Sequence, residues 1–511
     1  MTLIELLERN PAEKTAVILP ESNTHVSYGE LRRQVRAVAE QLAASGVAHG
    51  DRVGIALPNG LPMVLALLAA ATAGTAAPLN PAYKEEEFRF YLDDTNARVL
   101  LLPLEGVEEA RRAAGQRVQI LHASLDGDPK SVALHPQQTD GEPRATRSGS
   151  PHFTPATPDD VALVLHTSGS TGRPKRVPLT HANLTISATN VARGYALGPD
   201  DVSMCVMPLF HVHGLVASTL STFASGGTMI LPAKFNPLSF WRIARDHGMT
   251  WYSAVPTLHQ LLLARAADPT AGRRLPGTEK VRFIRSCSAA LPPRVMHALE
   301  TAFGAPVLEA YGMTEAAHQM ATNPLPPAIR KPGSVGLGAQ VRISIMDAHG
   351  RHCKAGERGE VVIQGPNVIR GYENNPEANK AAFVDGWFRT GDRGYLDADG
   401  YLHLVARIKE LINRGGEKIS PREIDDVLLA HPAVAEAVSF GVPHGTWGEE
   451  VAAAVVVRQA VSEHELLEYC KQHLADYKRP KQIHITDAIP RTATGKVQRG
   501  VVAKVYARNS S

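Results

Sequence analysis

The chain is short of cysteine: 4 in 511 residues, at Cys205, Cys287, Cys353 and Cys470, with no Cys-x-x-Cys pair among them. That spacing excludes a disulfide scaffold and a cysteine zinc site and fits a reducing compartment. It also lacks a charge bias, since 54 basic against 51 acidic residues leave a formal charge of +3. Nothing electrostatic therefore points to a nucleic acid or a polybasic membrane contact. A long apolar span is missing too. Leu61 to Leu79 carries no charge, but Pro62, Gly74 and Pro78 interrupt it, so it reads as a buried helix followed by a buried strand. The opening Met-Thr-Leu-Ile-Glu-Leu-Leu-Glu carries acids where a signal peptide needs a basic start, so none is expected, and the closing Asn-Ser-Ser does not match the Ser-Lys-Leu peroxisomal address. The expected location is cytoplasmic.

What is present is enough apolar residue, 44%, for several cores. Across the first 330 residues short apolar runs alternate with helix-length segments. Arg52–Pro58, Ala76–Leu79, Arg98–Leu102, Val161–Leu165, Val202–Met207, Met229–Leu231, Trp251–Val255, Val281–Arg285 and Val307–Glu309 read as strands. Leu61–Ala73, Lys84–Asp93, Ser239–Arg245 and Arg294–Phe303 read as helices between them. That alternation predicts parallel sheets covered on both faces. The Pro-, Ser- and Gly-rich stretch from Ser124 to Asp160 reads as a surface loop. From 335 to 406 short alternating runs between Gly, Asp and Asn turns predict a small antiparallel barrel, and residues 407–511 a separate α+β unit.

The strongest local signal is Thr167-Ser168-Gly169-Ser170-Thr171-Gly172-Arg173-Pro174-Lys175, directly after a predicted strand. Its glycines allow close backbone approach, and its hydroxyls, N–H groups and lysine can bind several phosphate oxygens at once. It is not a Walker loop, and alone it reads equally as a Ser/Gly hairpin without a ligand. The run resembles the phosphate loop of the adenylate-forming superfamily, which includes acyl-CoA synthetases, adenylation domains and luciferases. Tyr311-Gly312-Met313-Thr314-Glu315, Trp387-Phe388-Arg389-Thr390-Gly391-Asp392, Arg407-Ile408-Lys409-Glu410 and Pro490-Arg491-Thr492-Ala493-Thr494-Gly495-Lys496 resemble further motifs of that family, in its order.

The resemblance implies an α/β fold. A large N-terminal domain (1–406) would hold two doubly wound sheets plus the small β-barrel, followed by a small mobile α+β C-terminal domain (407–511). It implies ATP, Mg²⁺ and coenzyme A as nucleotide, metal and co-substrate. Thr167, Ser168, Gly169, Ser170, Thr171, Gly172 and Lys175 would then hold the β- and γ-phosphates, Thr314 the α-phosphate and Glu315 the Mg²⁺. Ser288, Ala289, Ala290, Glu309, Ala310, Tyr311, Gly312 and Met313 would line the adenine, and Asp392 with Arg407 the ribose. Lys496 would join the attacking carboxylate to the α-phosphate. Lys409 would be the hinge about which Gly415 and Gly416 come to admit the pantetheine arm. Such chemistry brings two anions together, so positioned cations are its physical requirement. Arg176, where the family usually has glycine, is expected to restrict the loop or add a cation.

For the acid, His211 is the expected gate. His213, Ser286, Ser288 and His318 add polar groups to the acyl pocket, with Cys287 in place of a glycine. Apolar acids leave such groups unpaired. A very short dicarboxylate would satisfy them, and Ala254–Gln260, Phe283–Ala289 and Glu410–Pro421 resemble oxalate–CoA ligases. Oxalate is thus the favoured small carboxylic acid, with malonate, a small monocarboxylate or an aryl acid as alternatives. Transfer to a carrier protein, and a nucleotide-binding regulator without catalysis, also stay open.

Overall fold

The structure is a computed structural model and describes residues 1–511 apart from 126, 129, 138–152, 168–173, 267–274, 493–494 and 508–511. Its N-terminal part is built on two mixed sheets. In the first, the strands Thr15–Leu19, Thr228–Ile230, Val202–Cys205, Trp251–Ala254, Phe283–Ser286 and Val307–Met313 are neighbours in that order and parallel throughout. His318–Thr322 then returns antiparallel to Val307–Met313. In the second sheet Gln119–Leu125, Val99–Leu102, Arg52–Ile55, Thr75–Pro78 and Val161–Thr167 run parallel, and Lys175–Thr180 folds back on the last of them.

Helices pack these sheets for local reasons. Tyr28–Ala44 starts at a capping box in which Ser27 and Glu30 satisfy each other's backbone N–H. Leu61–Ala73 has proline in its first turn and no charge, and nearly every residue of it is buried. It lies in the middle of one apolar core that joins both sheets. A helix apolar on all sides must be enclosed. No described helix is long and apolar enough to cross a membrane.

Arg342–Met346, Gly359–Gln364, Trp387–Leu396, Phe383–Val384 and Leu402–Arg407 form the antiparallel unit expected over 335–406. It is a five-stranded ladder in which no hydrogen-bonded pairing joins the first strand to the last. Beyond one turn at Ile408–Glu410, the strands Ile412–Arg414, Glu417–Ile419, Val434–His444, Gly448–Val457 and Gln482–Ile485 build a last sheet with its own core. The helices Pro421–Ala430 and Glu463–His473 belong to this unit.

The loop expected over Ser124–Asp160 is corrected in part. Val132–Pro136 is a strand paired with Gln119–Leu125, its Val132 buried against the core. The polar composition around it hides that edge strand, and residues 138–152 lie outside the described residues.

Candidate active site

A cleft of about 940 Å³ runs between the sheets and the C-terminal unit. On one wall the strand Val161–Thr167 ends at Thr167, which faces Lys175 across the antiparallel pair. Thr167 Oγ1 donates to Glu315 Oε1 at 3.3 Å, and Tyr372 Oη donates to the same oxygen at 2.9 Å. The Lys175 ammonium stands 4.6 Å from the centre of the Tyr372 ring, a cation–π contact.

Glu315 arrives here because Val307–Met313 runs into the turn Thr314–Ala316 and folds back as His318–Thr322. Gly312 is needed in that reversal, since a Cβ there would lie 1.8 Å from the His318 carbonyl oxygen. His318 and Ser288 both sit at positive φ, 102° and 74°. For residues with a Cβ that costs about 1–3 kcal/mol each, and such positions cluster at functional sites.

Arg407 lines the cleft as well, and its Nε lies 2.7 Å from Asp392 Oδ1, while Tyr311 Oη donates to Asp392 Oδ2. Burial raises the Asp392 carboxyl above its ordinary value even beside Arg407. Asp392 is buried and Arg407 partly exposed, so the pair presents one fixed carboxylate with a cation at its edge.

Lys496 enters the cleft from the C-terminal unit, beside Thr314, His211 and Arg407. Desolvation, then the Arg407 charge, hold its ammonium below the usual lysine value. Its loop is braced by Arg491, which donates to the Gly495 carbonyl at 3.0 Å and pairs with Glu436 at 2.6 Å. Gly495 has φ +83°, and a Cβ on it would meet Thr257 Oγ1 at 3.1 Å and Val255 Cγ2 at 3.2 Å. Glycine at this position therefore serves both the backbone and the close seating of the lysine loop on the large domain.

One part of the cleft lining is polar. His211 and His318 line it with Ser288. The His213 N–H donates to His211 Nδ1 at 3.1 Å, so the proton of neutral His211 is on Nε2. Burial, with the Lys496 charge adding, pushes His211 down to about 3. His213 is fully buried, with Nδ1 3.0 Å from Ser288 Oγ and Nε2 2.7 Å from Ser253 Oγ. Its ring stacks on His318 with centroids 5.5 Å apart. Burial first, then Arg285, hold His213 and His318 well below the ordinary histidine value.

Residues 5–373 match the AMP-binding enzyme family, and residues 423–496 match the AMP-binding enzyme C-terminal domain. The chain belongs to the AMP-binding enzyme family. It is 48% identical to the oxalate–CoA ligase of Arabidopsis thaliana, over 92% of this chain and 91% of that one. To the oxalate–CoA ligase of Saccharomyces cerevisiae it is 42% identical, over 98% and 96%. Its fold superposes on O-succinylbenzoate coenzyme A synthetase from Bacillus subtilis, in complex with ATP and magnesium ion. There the TM-score is 0.83 with 32% identity, covering 98% of each chain.

In this AMP-binding enzyme the cleft gathers Thr167, Lys175, His211, Ser288, Gly312, Met313, Thr314, Glu315, His318, Arg407, Lys409 and Lys496. The expected loop residues Ser168, Gly169, Ser170, Thr171 and Gly172 lie outside the described residues. Three expectations meet a different geometry. Glu309 turns its carboxylate to the Gly333 N–H at 3.0 Å, and burial raises it to about 7. Ser286 is buried, and among the described residues its hydroxyl has no hydrogen-bond partner. Arg176 pairs with Asp94 at 3.2 Å and Glu373 at 3.5 Å, so its charge is held in the scaffold.

Ala289 and Ala290 are exposed just beyond Ser288, and Ala310 is buried before Tyr311. Gly415 and Gly416 make the positive-φ turn between Ile412–Arg414 and Glu417–Ile419, away from the cleft lining. Sequence reasoning missed Tyr372, Arg285, Ser253 and Arg491. Only Arg285 carried a signal, as a lone charge inside the apolar strand Phe283–Ser286.

Proposed function

We propose that the acid activated by this ATP-dependent CoA ligase is oxalate. The observation that carries the reading is the acyl end of the cleft, where His211, Ser288 and His318 stand where an alkyl or aryl acid would need apolar walls. The names of the two relatives support it. One carboxylate of oxalate attacks the α-phosphorus of ATP, the bond to diphosphate breaks, and oxalyl-AMP forms. A CoA thiolate then attacks the acyl carbon and AMP leaves.

We assign Lys496 to the developing charge between carboxylate and α-phosphate, since it lines the cleft from the small unit next to the Arg407 charge. Thr314 lies beside it for the α-phosphate, and Thr167 and Lys175 head the β- and γ-phosphate side. Asp392, fixed by Tyr311 and Arg407, suits two ribose hydroxyls. Among the described residues no cluster of three metal-ligating side chains exists. A Mg²⁺ would be held by Glu315 together with the nucleotide's phosphates, as is usual for that ion. It would neutralise phosphate charge during transfer.

We also propose that residues 1–406 and 407–511 are the two domains, with Lys409 at the hinge. In this reading a pose with Lys496 in the cleft serves adenylation. A second pose would withdraw it and bring Gly415 and Gly416 to the thioester step. An AMP-release assay with CoA across oxalate, malonate, acetate, a medium-chain fatty acid and coumarate tests the acid. Oxalate is expected to lead; a lead for any of the others would refute the reading.

A further inference from the structure

Arg285 is fully buried in the strand Phe283–Ser286, and among the described residues it makes no ion pair. A guanidinium out of water without a counter-ion is costly, so its neighbours must explain it. Nε donates to Tyr195 Oη at 3.0 Å and Nη1 to Ser253 Oγ at 3.0 Å. Nη2 donates to His318 Nε2 and to Gln319 Oε1, each at 2.8 Å.

Guanidinium only donates, so each of its four partners accepts. His318 Nε2 must accept, so its proton sits on Nδ1. Ser253 accepts from Arg285 and keeps one proton, which the relay requires it to give to His213 Nε2. His213 then carries its own proton on Nδ1 and gives it to Ser288 Oγ. The Ser288 hydroxyl proton is left for the cleft that Ser288 lines. Two relays thus begin at one buried positive charge and end in donors, the His318 Nδ1–H and the Ser288 O–H. Chains of this kind polarise in one direction.

We propose that Arg285 is the positioning residue that makes the acyl end of the cleft a receptor for a second carboxylate, acting through His318 and through Ser253, His213 and Ser288. This rests on the reading of a dicarboxylate acid above. It adds the charge that the three histidines, held neutral by burial, do not supply. A bound dianion would also provide the counter-charge that the strand lacks.

Two measurements test it. In the wild-type protein labelled with nitrogen-15 histidine, His318 and His213, assigned through H318Q and H213Q, should both appear as neutral Nδ1–H tautomers. An Nε2–H or imidazolium signal at His318 would overturn the proposal, with no variant of Arg285 needed. The second compares oxalate with glyoxylate, an acid of similar size bearing one charge. In Arg285→Met the preference for oxalate should fall roughly 10- to 100-fold, the span of a lost hydrogen bond to a charged group. The loss should sit in KM for the acid, with KM for ATP unchanged and part of the preference restored in Arg285→Lys. Equal weakening toward both acids would make Arg285 merely structural. A wild-type protein that does not prefer oxalate would instead remove the dicarboxylate reading, and this proposal with it.

Discussion

Tyr372 Oη and Thr167 Oγ1 meet on one oxygen of Glu315, at 2.9 Å and 3.3 Å. Two strands of different sheets and the segment before Asn379 thereby orient a single buried carboxylate, with Asn379 holding the Tyr372 backbone from both sides. Replacing Tyr372 by Phe keeps the ring under Lys175 and removes only the donor. Loss of a hydrogen bond to a charged group costs about 1.5–3 kcal/mol. Adenylation measured by pyrophosphate exchange should fall about tenfold or more, with the larger effect at low Mg²⁺. An effect independent of Mg²⁺ would contradict the proposed metal role of Glu315 or the part of Tyr372 in it.

Lys496 sits on a loop clamped by Arg491 and seated on Val255 and Thr257. Lys496→Ala should reduce acyl-AMP formation by several orders of magnitude while conversion of preformed oxalyl-AMP to thioester survives. Separate rapid-quench measurements of the two half-reactions decide it. Equal loss of both would refute the two-pose assignment.

Arg176 shares its charge between Asp94 and Glu373, and His166 bonds Asp94 at 2.9 Å. These partly buried pairs lie between the exposed and buried limits, so Arg176→Gly should cost about 1–3 kcal/mol of stability. Thermal unfolding with and without ATP measures this. A large change in turnover at unchanged Tm would return Arg176 to the phosphate loop.

His259 is fully buried against the Tyr252 hydroxyl, and burial lowers it to about 4. Its ordinary value is about 6.5. Between these two values the unfolded chain binds the extra proton, so stability is lost as pH falls through that window. The slope is about 1.4 kcal/mol per pH unit for such a group. His259→Leu should flatten the decline of Tm between pH 6.5 and pH 4 relative to the wild type. Parallel curves would show that His259 is not the group responsible.

The sheets were legible because their strands are short apolar runs bounded by turns. Leu61–Ala73 appears at its predicted ends because proline opens it and glycine closes it. Lys496, Glu315 and Asp392 were singled out through the family resemblance of their motifs, and Lys496 and Glu315 line the cleft. What the sequence hides is contact between distant segments. Tyr372 lies 57 positions from Glu315, and Arg285 lies 90 from Tyr195. Glu309 and Ser286 were drawn into the site by neighbouring motifs, yet the Glu309 carboxylate accepts from the Gly333 N–H and Ser286 is buried. The Arg176 partners come from the segments around Asp94 and Glu373, which no local pattern connects.

The central claim is that this enzyme joins oxalate to AMP before thioester formation. Oxygen-18-labelled oxalate, incubated with the purified protein, ATP, Mg²⁺ and CoA, tests it by mass spectrometry of the products. The expected result is oxalyl-CoA together with AMP that carries a label atom from the acid. Absence of the oxalyl thioester, or AMP free of label while the thioester forms, would contradict it.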